Sequence, residues 1–254
     1  MKIHHLRNAT MIIEADNQFI LVDPMLGPKA TLPTFTFFRF KAKRNPIVPF
    51  PDNAQVLLEK VSHCIITHRH PDHLDAAGIK FLRKKNIPIS CSIKDASILK
   101  KKGLNLSQSL DYWKRDDFLG GTIEGIPAKH GYGFIAKPMG NVMGFYIQLP
   151  NQPSIYLSSD TIYTKHVHQV LTEYQPKISV VAGGSAQLDI FQPLLMTMDD
   201  VLKFIQNAPD KVIVNHLEAV NHCPTTRIGL RDNLEKKQLA HKVFIPEDGS
   251  SVIF

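Results

Sequence analysis

The chain has 254 residues, 43% of them hydrophobic and 21% charged, which excludes a disordered or fibrous protein and supplies ample core for one large α/β domain or two small ones. Its three cysteines lack CxxC or disulfide spacing, which excludes a disulfide framework and fits a reducing cytosol. No stretch has the form of a signal peptide or the length of a bilayer span, so a cytoplasmic protein with no membrane span is the expectation.

Two β-like runs come first, Met11–Ala15 and Phe19–Val22, with Asp16-Asn17-Gln18 as the hairpin turn between them. From Pro24 to Asp52 the chain is irregular and broken by six prolines, while Phe35, Phe37, Phe38, Phe40 and Phe50 argue against disorder. A lid over an active site or an oligomer contact would bury those rings; a free-standing loop in a monomer would not. Arg39, Lys41, Lys43 and Arg44 make the loop basic, either as a solvated surface or as a phosphate clamp. Arg44 is the preferred substrate contact, because Asn45-Pro46 should stiffen the backbone beside it.

The apolar run Cys64-Ile65-Ile66 then leads into Thr67-His68-Arg69-His70-Pro71-Asp72-His73-Leu74-Asp75. Helical segments are predicted over Ala76–Lys85, Lys94–Lys102, Tyr163–Tyr174, Asp199–Asn207 and Arg227–Gln238. Strands are predicted over Ile87–Ser90, Gly121–Ile126, Val142–Leu149, Ser154–Leu157, Lys177–Val181, Val212–Asn215 and Lys242–Ile245. Hairpins mixed with β-α alternation fit two packed sheets with helices outside. Part of the net charge of +7 has a local cause, since Arg83-Lys84-Lys85 and Lys100-Lys101-Lys102 end helices, where cations complement the dipole. Nucleic-acid binding is therefore a minority reading.

Histidine and aspartate are costly to bury unless paired or metal-bound, so their density between His68 and Asp75 points to divalent cations at a sheet edge. In an extended segment His68 and His70 project to one side and can grip one cation together. Asp72 and His73 diverge and can serve a second. Asp72 also stands at a plausible helix N-cap.

His68-x-His70-x-Asp72-His73 resembles the HxHxDH signature of the metallo-β-lactamase superfamily. His130, Asp160 and His216 follow in the order of that family's later ligands, each just past a β-like run, and Asp23 fills its first motif position. The resemblance spans about Asp23 to His216 and implies an α/β fold, the αββα four-layer sandwich, as a single domain over 1–254 with 24–52 as a lid-like loop. It implies one metal site at His68, His70 and His130, another at Asp72, His73 and His216, and Asp160 bridging them. Zn²⁺ is the expected cation, with Mn²⁺ or Fe²⁺ compatible with the same ligands. Asp72 and Asp160 are the expected catalytic carboxylates. Asp23 and Asp75 are expected to orient ligand histidines. His222 is a rival to His216 and otherwise a candidate for the pocket wall.

His70 argues against the di-iron flavodiiron pattern, and His73 with Asp160 argues against a β-lactamase. Asp75, Arg7-Asn8-Ala9-Thr10 and Ala182-Gly183-Gly184-Ser185-Ala186 resemble the lactonase-like branch that contains ascorbate-6-phosphate lactonase. The expected activity is hydrolysis of a small anionic ester, lactone or phosphodiester by a metal-bridging hydroxide. The alternatives are a nuclease of the same fold and a non-catalytic metal-binding protein; a nuclease would need a basic track or an RNA-binding arm, and the sequence shows no arm.

Overall fold

Alternation along the strands sorts the apolar side chains into three layers of core. In the computed structural model, which describes residues 1–254, one sheet is built from β1 (Lys2–Arg7), β2 (Thr10–Ala15), β3 (Gln18–Val22), β4 (His63–Ile66), β5 (Ile89–Ser92), β6 (Leu106–Leu110) and β14 (Ser251–Ile253). Its seven strands run in the order β14-β1-β2-β3-β4-β5-β6. The second sheet holds β7 (Arg115–Phe118), β8 (Gly121–Pro127), β9 (Met143–Gln148), β10 (Ile155–Leu157), β11 (Ile178–Ala182), β12 (Lys211–Asn215) and β13 (Val243–Phe244). Their order is β13-β12-β11-β10-β9-β8-β7.

Residues of opposite parity face opposite layers, as the pleat requires. In β4, Ile65 points into the core between the sheets, where it joins Ile13, Ile20, Phe145, Leu157 and Ile213. Its neighbours Cys64 and Ile66 point outward against Leu58, Leu82 and Leu99 of α1 (Ala54–Glu59), α2 (Ala76–Lys85) and α3 (Ile93–Lys101). In β12, Ile213 faces inward while Val212 and Val214 pack under α4 (Lys165–Gln169), α5 (Met198–Asn207) and α6 (Arg227–Lys236). The result is the four-layer αββα sandwich.

Strand direction decides where chemistry can gather. β3 and β4 are parallel neighbours, with Val22 paired to Ile65, and β10, β11 and β12 are likewise parallel. β8 and β10 both run antiparallel to β9, hence parallel to each other. The ends of β3, β4, β8, β10 and β12 therefore deliver Asp23, His68, His130, Asp160 and His216 to one edge of the sandwich.

Several elements differ from the sequence reading. β1 was not expected as a strand because His4, His5 and Arg7 interrupt its apolar residues; all three are buried, and His4 is satisfied by Glu14 and Ser251. β6 and β7 are edge strands of alternating exposure with little apolar signal. The helix predicted from Tyr163 starts at Lys165 behind the Thr164 cap, and its last turn, Val170–Tyr174, widens to a π-helix. The cap of α2 is Asp75, not Asp72: the Asp75 carboxylate accepts from the Gly78 N–H at 2.7 Å, leaving Asp72 free for the site.

The Pro24–Asp52 stretch contains no regular strand or helix beyond a single bridge between Leu32 and Asn45. Buried Arg7 supports it from below by donating to the carbonyls of Met25 and Gly27, both at 2.8 Å, and of Val48 at 3.3 Å. Asn221 holds it from the other side: its N–H groups reach Thr34 Oγ1 and the Thr36 and Lys41 carbonyls, and its oxygen accepts from the Phe35 N–H and Asn45 Nδ2.

Candidate metal centre

Three of the strand ends that supply the site turn through the left-handed region, at Asp23 (φ 47°), Ser159 (φ 59°) and His216 (φ 58°). Non-glycine residues adopt that conformation at a cost of roughly 1–3 kcal/mol each, and such strain gathers where a side chain must be aimed. Here it swings the side chains off the sheet plane toward a common point.

Around that point the donor atoms form two triads. Those of His68, His70 and His130 all lie within 4.8 Å of one another, and so do those of Asp72, His73 and His216. Asp160 stands between them. Its Oδ2 is 3.2 Å from His73 Nε2, 3.5 Å from His130 Nε2, 3.6 Å from His216 Nε2 and 4.0 Å from His68 Nε2. His73 Nε2 and His216 Nε2 are 3.2 Å apart, and His216 Nε2 is 3.4 Å from Asp72 Oδ2.

The ring orientations are set from behind. His73 Nδ1 faces Asp23 Oδ2 at 2.8 Å, and the same carboxylate accepts from the Thr67 N–H and hydroxyl at 2.8 and 2.6 Å. His130 Nδ1 faces the Leu194 carbonyl at 3.0 Å. A carboxylate and a carbonyl can only accept, so both Nδ1 atoms carry hydrogens and both Nε2 atoms are left to face Asp160. Bare nitrogen lone pairs opposed to a carboxylate oxygen repel unless protons or cations lie between. His68 Nε2 and Asp160 Oδ1 are buried with no hydrogen-bond partner at all. Orphaned acceptors of this kind, in two clusters of His and Asp donors, fit divalent cations. A third grouping, Asp23 with His68 and His73, is not a further site, because both Asp23 oxygens are committed to hydrogen bonds.

The protonation pattern supports this. Burial, then His73 and His70, push the His68 imidazole well below its ordinary value, and burial pushes His130 down to about 4. Burial also opposes charge on His73, but Asp160 and Asp23 outweigh it and hold that ring up at about 10. For Asp160 burial favours the neutral acid, yet His73 and His216 prevail and keep it ionised. The centre thus asks for positive charge beside Asp160 while refusing protons at His68 and His130.

Asp23 stands behind a histidine of the cluster, where the sequence reading put it. Asp75 does not: besides capping α2 it accepts from the Gly27 N–H at 2.6 Å, anchoring the start of the long loop rather than a histidine. Arg44 is not among the residues lining the cleft; its Nε and Nη2 donate to the Ala30 and Thr31 carbonyls at 2.8 and 3.3 Å, bracing its own loop. His222 lies in the cleft wall, edge-on to Phe35 at 5.0 Å, and burial pushes it down to about 4. His216, not His222, groups with Asp72 and His73 as a possible metal triad.

Sequence reasoning gave no role to Asn8, which turns through φ 57°, donates to the Asp72 carbonyl at 3.0 Å and accepts from the His216 N–H at 2.9 Å. It ties the two ends of the second triad together, and its only signal was its place in Arg7-Asn8-Ala9-Thr10. Cys223 was also passed over; its Sγ lies 3.4 Å from His216 Nδ1.

Above the donors lies a cleft of about 340 Å³, walled by Thr34 and Phe35 of the long loop, Met139, Leu188, Leu194 and His222, with His70, Pro71, Asp72 and His130 at its base.

The Beta-lactamase superfamily domain matches residues 18–216 of this chain. The chain belongs to that superfamily. It is 31% identical to UPF0173 protein YddR of Bacillus subtilis (strain 168) over the full length of both. It is 25% identical to a UPF0173 metal-dependent hydrolase of Alkaliphilus metalliredigens (strain QYMF), covering 75% of this chain and 76% of that one. Among solved structures it superposes on a possible metal-dependent hydrolase from Veillonella parvula DSM 2008 with a TM-score of 0.91 and 27% identity, covering 99% and 98% of the two chains. An isothiocyanate hydrolase from Delia radicum gut bacteria gives a TM-score of 0.90 and 29% identity, covering 100% and 99%. The protein is a metal-dependent hydrolase of this fold. No helix is long and apolar enough to cross a membrane.

Proposed function

We propose that the protein is a dinuclear hydrolase acting on a small, uncharged electrophile with an apolar body, of which an isothiocyanate is the first to test. The observation that carries this reading is the cleft wall. Phe35, Pro71, Met139, Leu188 and Leu194 line it, and no lysine or arginine does. A phosphate or carboxylate that passed the mouth would lose water without meeting a cationic side chain in the wall itself. Of the substrate classes open to this fold, including the anionic ester, lactone or phosphodiester expected from sequence, such a wall suits an uncharged one. The similarity to a chain named as an isothiocyanate hydrolase supports the same class.

His68, His70 and His130 would hold one cation and Asp72, His73 and His216 the other, with Asp160 between them. Bound there, divalent cations supply a nucleophilic hydroxide near neutral pH and polarise the substrate. The chain itself does the rest. Asp23 and the Leu194 carbonyl keep the Nε2 lone pairs of His73 and His130 aimed inward. The apolar wall excludes bulk water and places the substrate's electrophilic carbon over the donors. His222 presents an uncharged imidazole that can hydrogen-bond a substrate heteroatom. Addition of one water to R–N=C=S gives R–NH–C(=O)–SH, and cleavage of its C–N bond yields the amine and carbonyl sulfide.

Metal-replete protein should release amine from an arylalkyl isothiocyanate with a higher kcat/KM than it shows for a phosphodiester or a lactone, and EDTA should remove the activity. A tenfold or greater preference for the phosphodiester would restore the anionic reading.

A further inference from the structure

Three loops form the mouth of the cleft, and each turns one apolar residue in and another out. The loop at 34–45 puts Phe35 in the wall and Phe37 and Phe38 in solvent. The loop at 131–140 puts Met139 in the wall and Phe134 outside, and the loop at 187–193 does the same with Leu188 against Ile190 and Phe191. Five of the nine large exposed hydrophobic residues of the whole molecule sit on these loops, with Phe38 and Phe134 exposed to 91% and 90%. Apolar exposure concentrated around one opening marks an interaction surface.

The rings are held outward by construction. The Asp189 carboxylate accepts from the backbone N–H groups of Phe37, Phe38 and Arg39 at 2.8, 2.8 and 2.9 Å, and from the Thr36 hydroxyl. Arg39 Nε reaches back to the Leu188 carbonyl at 2.7 Å, and the Tyr132 N–H donates to the Pro193 carbonyl at 3.1 Å. The three loops are thus one braced rim. With its backbone pinned by four donors on one carboxylate, the segment under Phe37 and Phe38 does not turn the rings inward without breaking those bonds.

Charge identifies what covers them. Lys41, Lys43, Arg44 and Lys137 are exposed on two of these three loops, and none has a carboxylate within ion-pair distance. Lys41 is held beside the rim because its carbonyl shares Asn221 with that of Thr36. A two-fold contact with a second copy would set this cationic collar against itself. Phenylalanines as exposed as Phe38 and Phe134, projecting among unpaired cations, suit a fluid anionic surface, in which rings enter the acyl boundary while lysines meet headgroups.

We infer that the cleft rim docks on anionic lipid membranes, with Phe38 and Phe134 as inserting residues and Lys41, Lys43, Arg44 and Lys137 as headgroup contacts. The mouth of the cleft then opens onto the bilayer, where apolar small molecules concentrate. This goes beyond the proposed hydrolysis and stands on the rim alone.

Co-sedimentation of the metal-loaded full chain with vesicles tests it. Binding is expected to phosphatidylglycerol-containing vesicles and not to pure phosphatidylcholine. The double variant Phe38→Ser/Phe134→Ser should lose it. Lys41→Ala/Lys137→Ala should weaken it by roughly fivefold for each cation removed, and added salt should do the same. Hydrolysis of a water-soluble substrate without vesicles should be unchanged in both, so a failed docking face is distinguishable from a failed hydrolase assignment. Absence of vesicle binding would overturn the inference. So would a solution dimer, seen by light scattering, that Phe38→Ser/Phe134→Ser dissociates without any effect on vesicles.

Discussion

The floor of the cleft and its walls are held by opposite means. The floor is made of strand ends, and three of its histidines have supports of their own: Asp23 behind His73, the Leu194 carbonyl behind His130, Asn8 joining Asp72 to His216. The walls are loops with no regular structure beyond a 3-10 turn at Gly133–Ala136, tied down at a few points by buried or bridging side chains such as Asn221 and Asp189. Chemistry that needs sub-ångström placement sits on the first kind of support, and substrate choice sits on the second, where sequence can change without disturbing the sandwich.

The sharpest way to break this division is to remove the floor's centre. Asp160→Ala should lower kcat/KM by about a thousandfold or more, since loss of one preorganised charge in such a site typically costs two to three orders of magnitude, and the bridge between the triads is lost as well. Elemental analysis should show close to two divalent cations per parent chain and fewer in the variant, with the circular dichroism spectrum unchanged. A variant with parental turnover would remove Asp160 from the reaction.

Asp23→Asn tests the support rather than the donor. It keeps the shape but gives His73 Nδ1 a weaker, uncharged partner, so metal affinity should fall by roughly 10–100-fold, the usual cost of losing such a carboxylate. Competition with a chromophoric chelator measures it. Retention of parental affinity would mean that Thr67 and packing alone orient the ring.

Stripped of metal, the floor should also leave a mark on stability against pH. His130 and His222 sit at about 4 in the fold against an ordinary 6.5, so between those values the unfolded chain binds more protons and stability falls as the solution is acidified. His73 is held at about 10, so its contribution is complete below 6.5 and is lost as pH rises toward 10. The chelated protein should therefore unfold at its highest temperature near pH 6.5. Cation loading should flatten the alkaline side, because the metal replaces the proton on His73. An alkaline slope that is the same with and without metal would contradict that exchange.

For the walls, Asn221→Ala should cost about 2–3 kcal/mol of stability, because it leaves the Phe35 N–H and the Thr36 and Lys41 carbonyls without their partner. It should raise KM while leaving metal content at the parental value. Loss of metal in this variant would show that wall and floor are one unit after all.

The same division explains what could be read from the chain. The grouping of His68, His70, Asp72 and His73 was legible because four candidate ligands fall within six positions after one apolar run, and strand geometry converts that spacing directly into position. His130, Asp160 and His216 were legible as polar residues ending β-like runs, once a resemblance supplied their order. Asn8, by contrast, acts through its side-chain amide, its backbone carbonyl and a left-handed turn together, a combination that leaves no pattern in sequence. Asp75 and Asp72 compete for one cap, and the start of α2 at Ala76 decides for Asp75. The long loop was recognisable as ordered from its phenylalanines, yet their division into one that lines the cleft and two that face solvent depends on Asp189, 150 residues away from Arg39.

Arg44 gives the finest test, because sequence and structure assign it different work. A phosphate clamp would make Arg44→Ala raise KM for an anionic substrate far more than for an uncharged one. In the structure its guanidinium is exposed and spans two carbonyls of its own loop, Ala30 and Thr31. Exposed hydrogen bonds of this kind contribute about 0.5–1.5 kcal/mol each at most, and water replaces them readily. Arg44→Ala should therefore lower the unfolding temperature slightly and change KM by less than about threefold, equally for charged and uncharged substrates. Arg44→Lys keeps the charge but cannot span both carbonyls in a planar fork, so it should resemble the alanine variant in stability. If lysine instead restored a KM effect confined to anionic substrates, the charge itself would reach the substrate, and the wall would have to close further over the His/Asp cluster than it does here.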